Sequence, residues 1–406
     1  MDGRQHSGQN SSRIGLALAG GGPAGAVYEI GALRALDEAL DGVDFNELYV
    51  YVGVSAGSFV ASCLANGITT AQLCRSTVDQ DSPRHPFAPE IFFRPAFGEL
   101  IRRGLMTPRL VVEALWEYAN NPGDQTPLEA ATRLGRALPV GIFDSEPIRA
   151  FLENIFSLEG RTDDFRQLRN KLIVVAADLD SGHAVRFGEP GLDHVPISLA
   201  VQASTALPGL YPPVLIDGRH FVDGVLRKTV HGSVALDAGA DMLLCVNPLV
   251  PVDTDESIAA GVMKRGKLVN RGLPTLLSQT FRTLVHSRLT AGLASYKQRF
   301  PDADIVLIEP PRDDFQMFFT NIFSLSSRKA VCEHAYDSIR QQLLERRDEL
   351  GPIFERHGIR LRTDVLEDTE RSLWDQVARR HAGSGQSVTQ ELDSALNRLE
   401  GMLQEF

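Results

Sequence analysis

Leu48-Tyr49-Val50-Tyr51-Val52-Gly53-Val54-Ser55-Ala56-Gly57-Ser58-Phe59-Val60-Ala61 is an apolar run that stops at a serine among small residues and then resumes. The first half, up to Val54, is rich in β-branched and aromatic residues and reads as a buried strand; Phe59 to Ala65 continues as a helix. Between them Gly53-Val54-Ser55-Ala56-Gly57 fits GxSxG, the nucleophile elbow, a strand-to-helix turn so sharp that its hydroxyl stands clear of the backbone. Glycines on either side, Gly53 and Gly57, remove the Cβ atoms that would collide in such a turn. A tight turn with a merely buried serine uses the same residues, so the rest of the chain has to decide between the two.

Upstream, Ile14 to Ala19 is a continuous apolar run of the kind found in a central strand of a parallel sheet. It ends in Gly20-Gly21-Gly22-Pro23-Ala24-Gly25-Ala26, after which Ile30, Leu33, Leu36 and Leu40 recur at helical spacing. Gly20, Gly22 and Gly25 satisfy GxGxxG, and strand before and helix after are the setting a dinucleotide-binding loop requires. That fold also expects an acidic residue at the end of the second strand, where this chain has Gly53-Val54-Ser55, and Pro23 removes one of the amides a phosphate cradle would use. The alternative is an oxyanion hole: bare glycine amides of Gly20, Gly21 and Gly22 at a helix N-terminus, aimed at charge developing on a carbonyl oxygen. Both turns follow adjacent strands and can converge, which favours the oxyanion reading.

A serine nucleophile needs a base. Two aspartates stand at strand ends downstream, in Asp217-Gly218 and Asp223-Gly224. Asp217 sits where an Asp-Gly pair makes a hairpin turn, so Asp223 is the better candidate. Among the ten histidines, His183, His194, His220 and His231 are available for a rival Ser-His-Asp arrangement, but no spacing selects one of them.

Elsewhere the pattern predicts a helix over Thr69–Val78, further helices over 98–104 and 108–119 and on to about Leu158, and a hairpin of Leu172–Ala177 with His183–Phe187. It continues with a helix over Pro196–Thr205, strands at Val214–Ile216, Phe221–Val222, Met242–Val246 and Ile305–Ile308, and helices over Leu276–Tyr296 and from Arg328 to about Leu350. The stretch Asp81 to Gly98, with four prolines among Phe87, Ile91, Phe92, Phe93 and Phe97, is an irregular apolar loop, either packed on the core or serving as a lid or lipid-facing lip. Lys264, Arg265, Lys267 and Arg271 form a basic cluster that reads as a solvated loop face. After Gly383-Ser384-Gly385, a joint, Val388, Leu392, Ala395, Leu399 and Met402 make a short heptad seam suited to a homodimer or to docking on the same chain.

With 406 residues, 43% hydrophobic and 23% charged, the chain can bury a large α/β core. A net charge of -11 gives no long-range attraction to nucleic acid, so a membrane contact would have to use a local patch. Four cysteines, Cys63, Cys74, Cys245 and Cys332, lie far apart with no CxxC pair or metal-ligand spacing and read as reduced core thiols, which fits a cytoplasmic protein. Residues 1–12 carry no apolar segment of a secretory signal and read as a disordered tail, and no run reaches the roughly 18 apolar residues of a spanning helix.

With the glycine loop, the elbow and the strand-end aspartate in this order, and with Ala203-Ser204-Thr205-Ala206-Leu207-Pro208-Gly209 between the last two, the chain resembles the patatin-like phospholipases, a family of lipid acyl hydrolases. The resemblance covers residues 14 to 226. It implies a three-layer α/β/α sandwich with a mainly parallel sheet and a Ser-Asp dyad without a catalytic histidine. Ser55 is then the nucleophile, Asp223 the base and the Gly20, Gly21 and Gly22 amides the oxyanion hole, with no metal or cofactor required. A phospholipid or other acyl-ester lipid is the implied substrate, with peripheral membrane contact. Two positions depart from the family pattern: Ala24 stands where Lys or Arg is frequent, and Val225 where a second glycine follows the aspartate motif, which leaves the headgroup open. The expected organisation is a catalytic domain over 13–310, a helical extension over 311–382 packed on it, and a joint with an amphipathic helix over 383–406.

Overall fold

The structure, a computed structural model, describes residues 12–78, 93–96, 139–259, 268–312, 314 and 325–377. The expected helices over 98–104 and 108–119, most of the 81–98 loop, Lys264, Arg265, Lys267 and the seam from Val388 to Met402 lie outside the described residues.

β1 (Ile14–Leu18) leads through the glycine loop into α1 (Gly22–Ala39). After the short β2 (Leu40–Asp41), β3 (Val50–Val54) leads through Ser55 into α2 (Ala56–Ala65) and α3 (Thr70–Val78). Then follow α4 (Glu146–Phe156), β4 (Lys171–Asp178), β5 (Ala184–Phe187), α5 (Ile197–Ser204), β6 (Val214–Ile216), β7 (Arg219–Asp223), α6 (Gly232–Asp237), β8 (Met242–Val246) and α7 (Asp255–Ala259). The described chain closes with α8 (Leu273–Arg299), β9 (Asp304–Ile308), α9 (Leu325–Glu345), α10 (Arg347–Arg356), β10 (Arg360–Leu361) and α11 (Thr363–Leu366).

The main sheet runs β6-β7-β4-β3-β1-β8-β9, with β5 also paired to β4. β1 is parallel to both β3 and β8, β3 to β4 and β8 to β9, while β5 and β7 run antiparallel to β4 and β6 to β7. Alternation along each strand divides the core in two. Leu16 and Leu18 of β1, Tyr51 of β3 and Val174 and Ala176 of β4 join one cluster, with α1, α2 and α9. Ala17, Ala19, Val50, Val52, Val54, Ile173 and Val175 join the other, with α6 and α8. Helices therefore cover both faces, which explains why the strands read as unbroken apolar runs. This is the three-layer α/β/α sandwich with a mainly parallel sheet.

In β1 and β3, Leu18 lies opposite Gly53, so the two strands end together and the glycine loop and the elbow leave the sheet side by side at its carboxyl edge. Residues 325–377 share the first core cluster through Val331, Cys332, Tyr336, Ile339 and Phe354, and α9 lies along α1. A buried polar knot fastens the two: the Glu38 carboxylate accepts from Arg34, from the Tyr336 hydroxyl at 2.6 Å and from Arg371 Nε at 2.8 Å. The single helix expected from Arg328 to Leu350 divides at Arg346, because Asp348 and Glu349 supply the acidic first turn of a new helix. Ser12, read as part of the disordered tail, hydrogen-bonds His357. All four cysteines are buried, and none of them forms a disulfide. Among the described residues no helix is long and apolar enough to cross a membrane.

Candidate active site

Ser55 occupies the junction of β3 and α2 with φ 51° and ψ -126°, a left-handed conformation that costs a non-glycine residue on the order of 1–3 kcal/mol. Its surroundings hold it there. The Ser55 amide donates to Ser204 Oγ at 2.8 Å, and Ser204 Oγ in turn donates to the Val175 carbonyl of β4 at 2.6 Å. The Ser55 carbonyl accepts from the amide of Ser58 at 2.9 Å and from its hydroxyl at 2.6 Å. The expected need for glycine on both sides is met in the packing. A Cβ on Gly53 would lie 2.4 Å from Ser58 Cα, and one on Gly57 2.5 Å from the Ala19 carbonyl oxygen. That same carbonyl accepts the Gly57 amide at 3.0 Å, tying the elbow to the end of β1.

Asp223 ends β7, where its amide donates to Ala206 O at 3.0 Å and Ala176 lies opposite it in β4. Its side chain is 2% exposed; one carboxylate oxygen accepts from the Val225 amide at 2.9 Å, and the Ser55 side chain lies near the same carboxylate in the cavity. Burial pushes its pKa up to about 7, against the lowering effect of that amide and of the serine side chain. Asp217, the other strand-end aspartate, forms the β6–β7 turn with φ 50° beside Gly218 at φ 77°, and its carboxylate meets His194 Nε2 at the surface at 2.9 Å. The two Asp-Gly motifs thus divide into a turn and a cavity residue.

Ser55 and Asp223 face a cavity of about 210 Å³. Gly21 and Gly22 form part of its wall at the N-terminus of α1, a helix end that no side chain caps, while Gly20 backs onto the serine, its Cβ position 3.0 Å from Ser55 Cβ. Apolar residues make up most of the remainder: Phe93, Leu207, Leu210, Val225, Leu249 and Phe281. Phe93 belongs to the expected apolar loop and packs edge-on against Phe143, with ring centroids 5.2 Å apart. Thr205, Tyr211 and, from α8, Ser278 and Arg282 are the further polar members of the wall.

No histidine is among the described residues of this wall. His183 and His220 are exposed, His194 pairs with Asp217, and His231 is buried with Nε2 3.4 Å from the Gly224 carbonyl, its pKa pushed down to about 4 by burial. Among the described residues no group of three His, Cys, Asp or Glu side chains is arranged to hold a metal ion. Sequence reasoning quoted the block containing Ser204 without giving it a part, and it passed over Arg282. For Ser204 the signal is a small hydroxyl residue in the last turn of a short helix, for Arg282 a cation on the inward stripe of an otherwise apolar helix face.

An elbow serine and a buried carboxylate, at the carboxyl edge of a mainly parallel sheet beside an uncapped helix N-terminus, define a serine hydrolase of the α/β class. A sequence model described as Patatin-like phospholipase matches residues 16–231, more than half the chain, and the chain belongs to that family. It is thereby a carboxylic ester hydrolase of the lipid-cleaving type. Among solved structures it is similar to VipD from Legionella pneumophila, at 15% identity over 82% of this chain and 67% of that one, with a TM-score of 0.37. It is also similar to the type III effector protein ExoU, at 13% identity over 83% of this chain and 53% of that one, with a TM-score of 0.34. The complex of ExoU with SpcU from Pseudomonas aeruginosa matches at 17% identity over 82% and 52%, with a TM-score of 0.28. The chain thus spans about two thirds of VipD and about half of ExoU.

Proposed function

We infer that the protein cleaves fatty acyl esters of phospholipids or related lipids through an acyl-enzyme formed on Ser55, with Asp223 as the base. The observation that carries this reading is the meeting of the Ser55 hydroxyl and the Asp223 carboxylate in one apolar-walled cavity. In the first step Ser55 Oγ attacks the ester carbonyl while its proton passes to Asp223. The amides of Gly20, Gly21 and Gly22 stabilise the oxyanion, aided by the positive end of α1. The proton then goes to the leaving alcohol, and water, deprotonated by Asp223, releases the fatty acid. A carboxylate with a pKa near 7 suits this part, because a base is most effective when its pKa lies near the working pH. The strained backbone of Ser55 keeps the nucleophile aimed, and the apolar wall gives an acyl chain a dry place to lie.

Access to aggregated lipid fits the outer side of α8, where Leu273, Leu277 and Leu284 are 65%, 58% and 58% exposed at spacings of four and seven, on one helix stripe. Ser278, Phe281 and Arg282 of the same helix line the cavity, so a lipid surface against this stripe would bring substrate to the cavity mouth. The catalytic unit proposed is 13–310, with 311–382 packed on it. The reading is tested by Ser55→Ala and Asp223→Asn, each assayed on a p-nitrophenyl acyl ester and on phosphatidylcholine. Loss of turnover by about three orders of magnitude is expected for Ser55→Ala, on the scale of removing a nucleophile. Retained turnover would sink the reading. Activity in Asp223→Asn together with its loss on substitution of a histidine would favour the histidine triad.

A further inference from the structure

Glycine amides aimed at a reacting oxygen need something to aim them. The string Gly20-Gly21-Gly22 has no side chains with which to fix itself, and no side chain caps the start of α1, so its position comes from what packs against it. One such neighbour is Pro248, in the segment that follows β8. A Cβ on Gly21 would lie 2.6 Å from Pro248 Cγ, and one on Gly25 3.0 Å from the same atom, so the ring rests on the bare backbone of the first turn of α1. Gly21 lines the cavity of Ser55 and Pro248 does not, while the next residue, Leu249, lines it again. The proline therefore touches Gly21 from outside the cavity wall.

Pro248 has no N–H with which to be tied down, and the residue before it does the tying. Asn247 is 0% exposed, and its amide donates to the Ile308 carbonyl of β9 at 2.9 Å. Its side chain reaches past the proline to both backbone groups of Leu249: Oδ1 accepts from the Leu249 amide at 3.1 Å and Nδ2 donates to the Leu249 carbonyl at 3.3 Å. Nδ2 also donates to the Glu309 carboxylate at 3.2 Å. One side of this group must accept and the other must donate, which an amide does and a carboxylate does not. At the far end of the segment Gln279 of α8 grips Val252, with Nε2 donating to its carbonyl at 2.8 Å and Oε1 accepting from its amide at 3.1 Å. The proline is held in a strap fixed at both ends.

We propose that Asn247 is a positioning residue for the oxyanion hole, acting through Pro248 on the glycine loop. The proposal rests on the reading of Ser55 as nucleophile and of the glycine amides as the oxyanion hole. Such amides count only when they stand at bonding distance from the place where charge develops, so a small retreat of the loop weakens the transition state more than the bound ester.

The test uses the full-length protein, Asn247→Asp, the double variant Asn247→Asp with Glu309→Gln, and Pro248→Ala. Asn247→Asp is nearly isosteric but sets a carboxylate against Glu309 and the Leu249 carbonyl, and Glu309→Gln returns a donor from the other side. Two quantities are read: kcat and KM for p-nitrophenyl hexanoate, and Ki for a hexyl trifluoromethyl ketone. Ser55 Oγ adds to the ketone carbon, its proton passes to Asp223, and the ketone oxygen becomes an oxyanion facing the glycine amides. In Asn247→Asp kcat should fall about ten-fold or more with KM within about two-fold of wild type, and Ki should rise by the factor that kcat/KM loses. The double variant should recover most of both, and Pro248→Ala should move both in the same direction as Asn247→Asp. A residue that only braces the fold would not separate KM from Ki. Wild-type kcat/KM in Asn247→Asp, a fall in kcat/KM with Ki unchanged, equal losses in KM and Ki, or a double variant no better than Asn247→Asp overturns the proposal. Melting temperatures report whether each variant folds; if Asn247→Asp does not, Ki in Pro248→Ala decides, and an unchanged value overturns the proposal. A wild type that hydrolyses the ester but is not inhibited by the ketone would overturn the oxyanion reading itself, and one that hydrolyses no ester the reading of Ser55.

Discussion

The amide of Ser55 donates to the hydroxyl oxygen of Ser204 at 2.8 Å, and that hydroxyl passes the link on to the Val175 carbonyl at 2.6 Å. One buried side chain thus holds a strained elbow against the neighbouring strand. Ser204→Ala leaves the Ser55 amide and the Val175 carbonyl without their partner. A loss of about 1–3 kcal/mol in urea unfolding is expected, together with a lower kcat and a nearly unchanged KM, because the nucleophile is less well aimed. Unaltered stability and kcat would show that the elbow does not depend on this bridge.

The raised pKa of Asp223 sets the sign of two pH dependences. Its carboxylate must be ionised to accept the serine proton, so kcat/KM should fall about ten-fold per pH unit as pH drops below about 7. For stability, the folded protein holds this proton more tightly than the unfolded chain does. The contribution is fully present below the ordinary carboxylate pKa and is lost as pH rises through about 7. Asp223→Asn should therefore be at least as stable as wild type at pH 8 while failing to turn over ester. An activity profile flat from pH 5 to 8 would contradict the assignment.

Glu38 is 4% exposed and answers Arg34, Tyr336 and Arg371 together, where α1 meets α9. Glu38→Ala removes the shared acceptor and leaves the buried Arg34 without this carboxylate. A destabilisation of about 3–5 kcal/mol in urea unfolding is expected. Arg371→Ala, which takes away the more accessible partner, should cost clearly less.

The exposed stripe of α8 separates surface access from chemistry. Leu273→Ser together with Leu277→Ser should lower hydrolysis of phosphatidylcholine vesicles several-fold while leaving turnover of a monomeric p-nitrophenyl ester close to wild type. Equal effects on both substrates would remove the stripe from any part in lipid access.

The elbow, the glycine loop and the hairpins were legible in the sequence because each is set by local chemistry: a small-residue turn after an apolar run, a glycine string before an amphipathic helix, an Asp-Gly pair. The unbroken runs of β1, β3, β4 and β8 likewise announced strands covered on both faces. What escaped was long-range. Ser204 lies 149 positions from Ser55 and matters only because α5 carries it to the elbow. Arg282 looks like an ordinary helical cation until the other members of its stripe are seen to face the core. Asp217 and Asp223 carry the same dipeptide signature, and only the hairpin setting of Asp217 favours Asp223 in the sequence; in three dimensions one lies in a surface turn and the other is buried beside the serine. The break at Arg346 was missed because the apolar pattern runs across it, while the acidic turn that starts the next helix is a weaker mark.

The central claim, that Ser55 is the nucleophile, is tested most directly by treating the native protein with a fluorophosphonate and mapping the adduct by peptide mass spectrometry. The account predicts stoichiometric modification of Ser55, loss of ester turnover in step with labelling, and no adduct in Ser55→Ala. Labelling at another residue that abolishes turnover, or turnover that survives complete modification of Ser55, would contradict it.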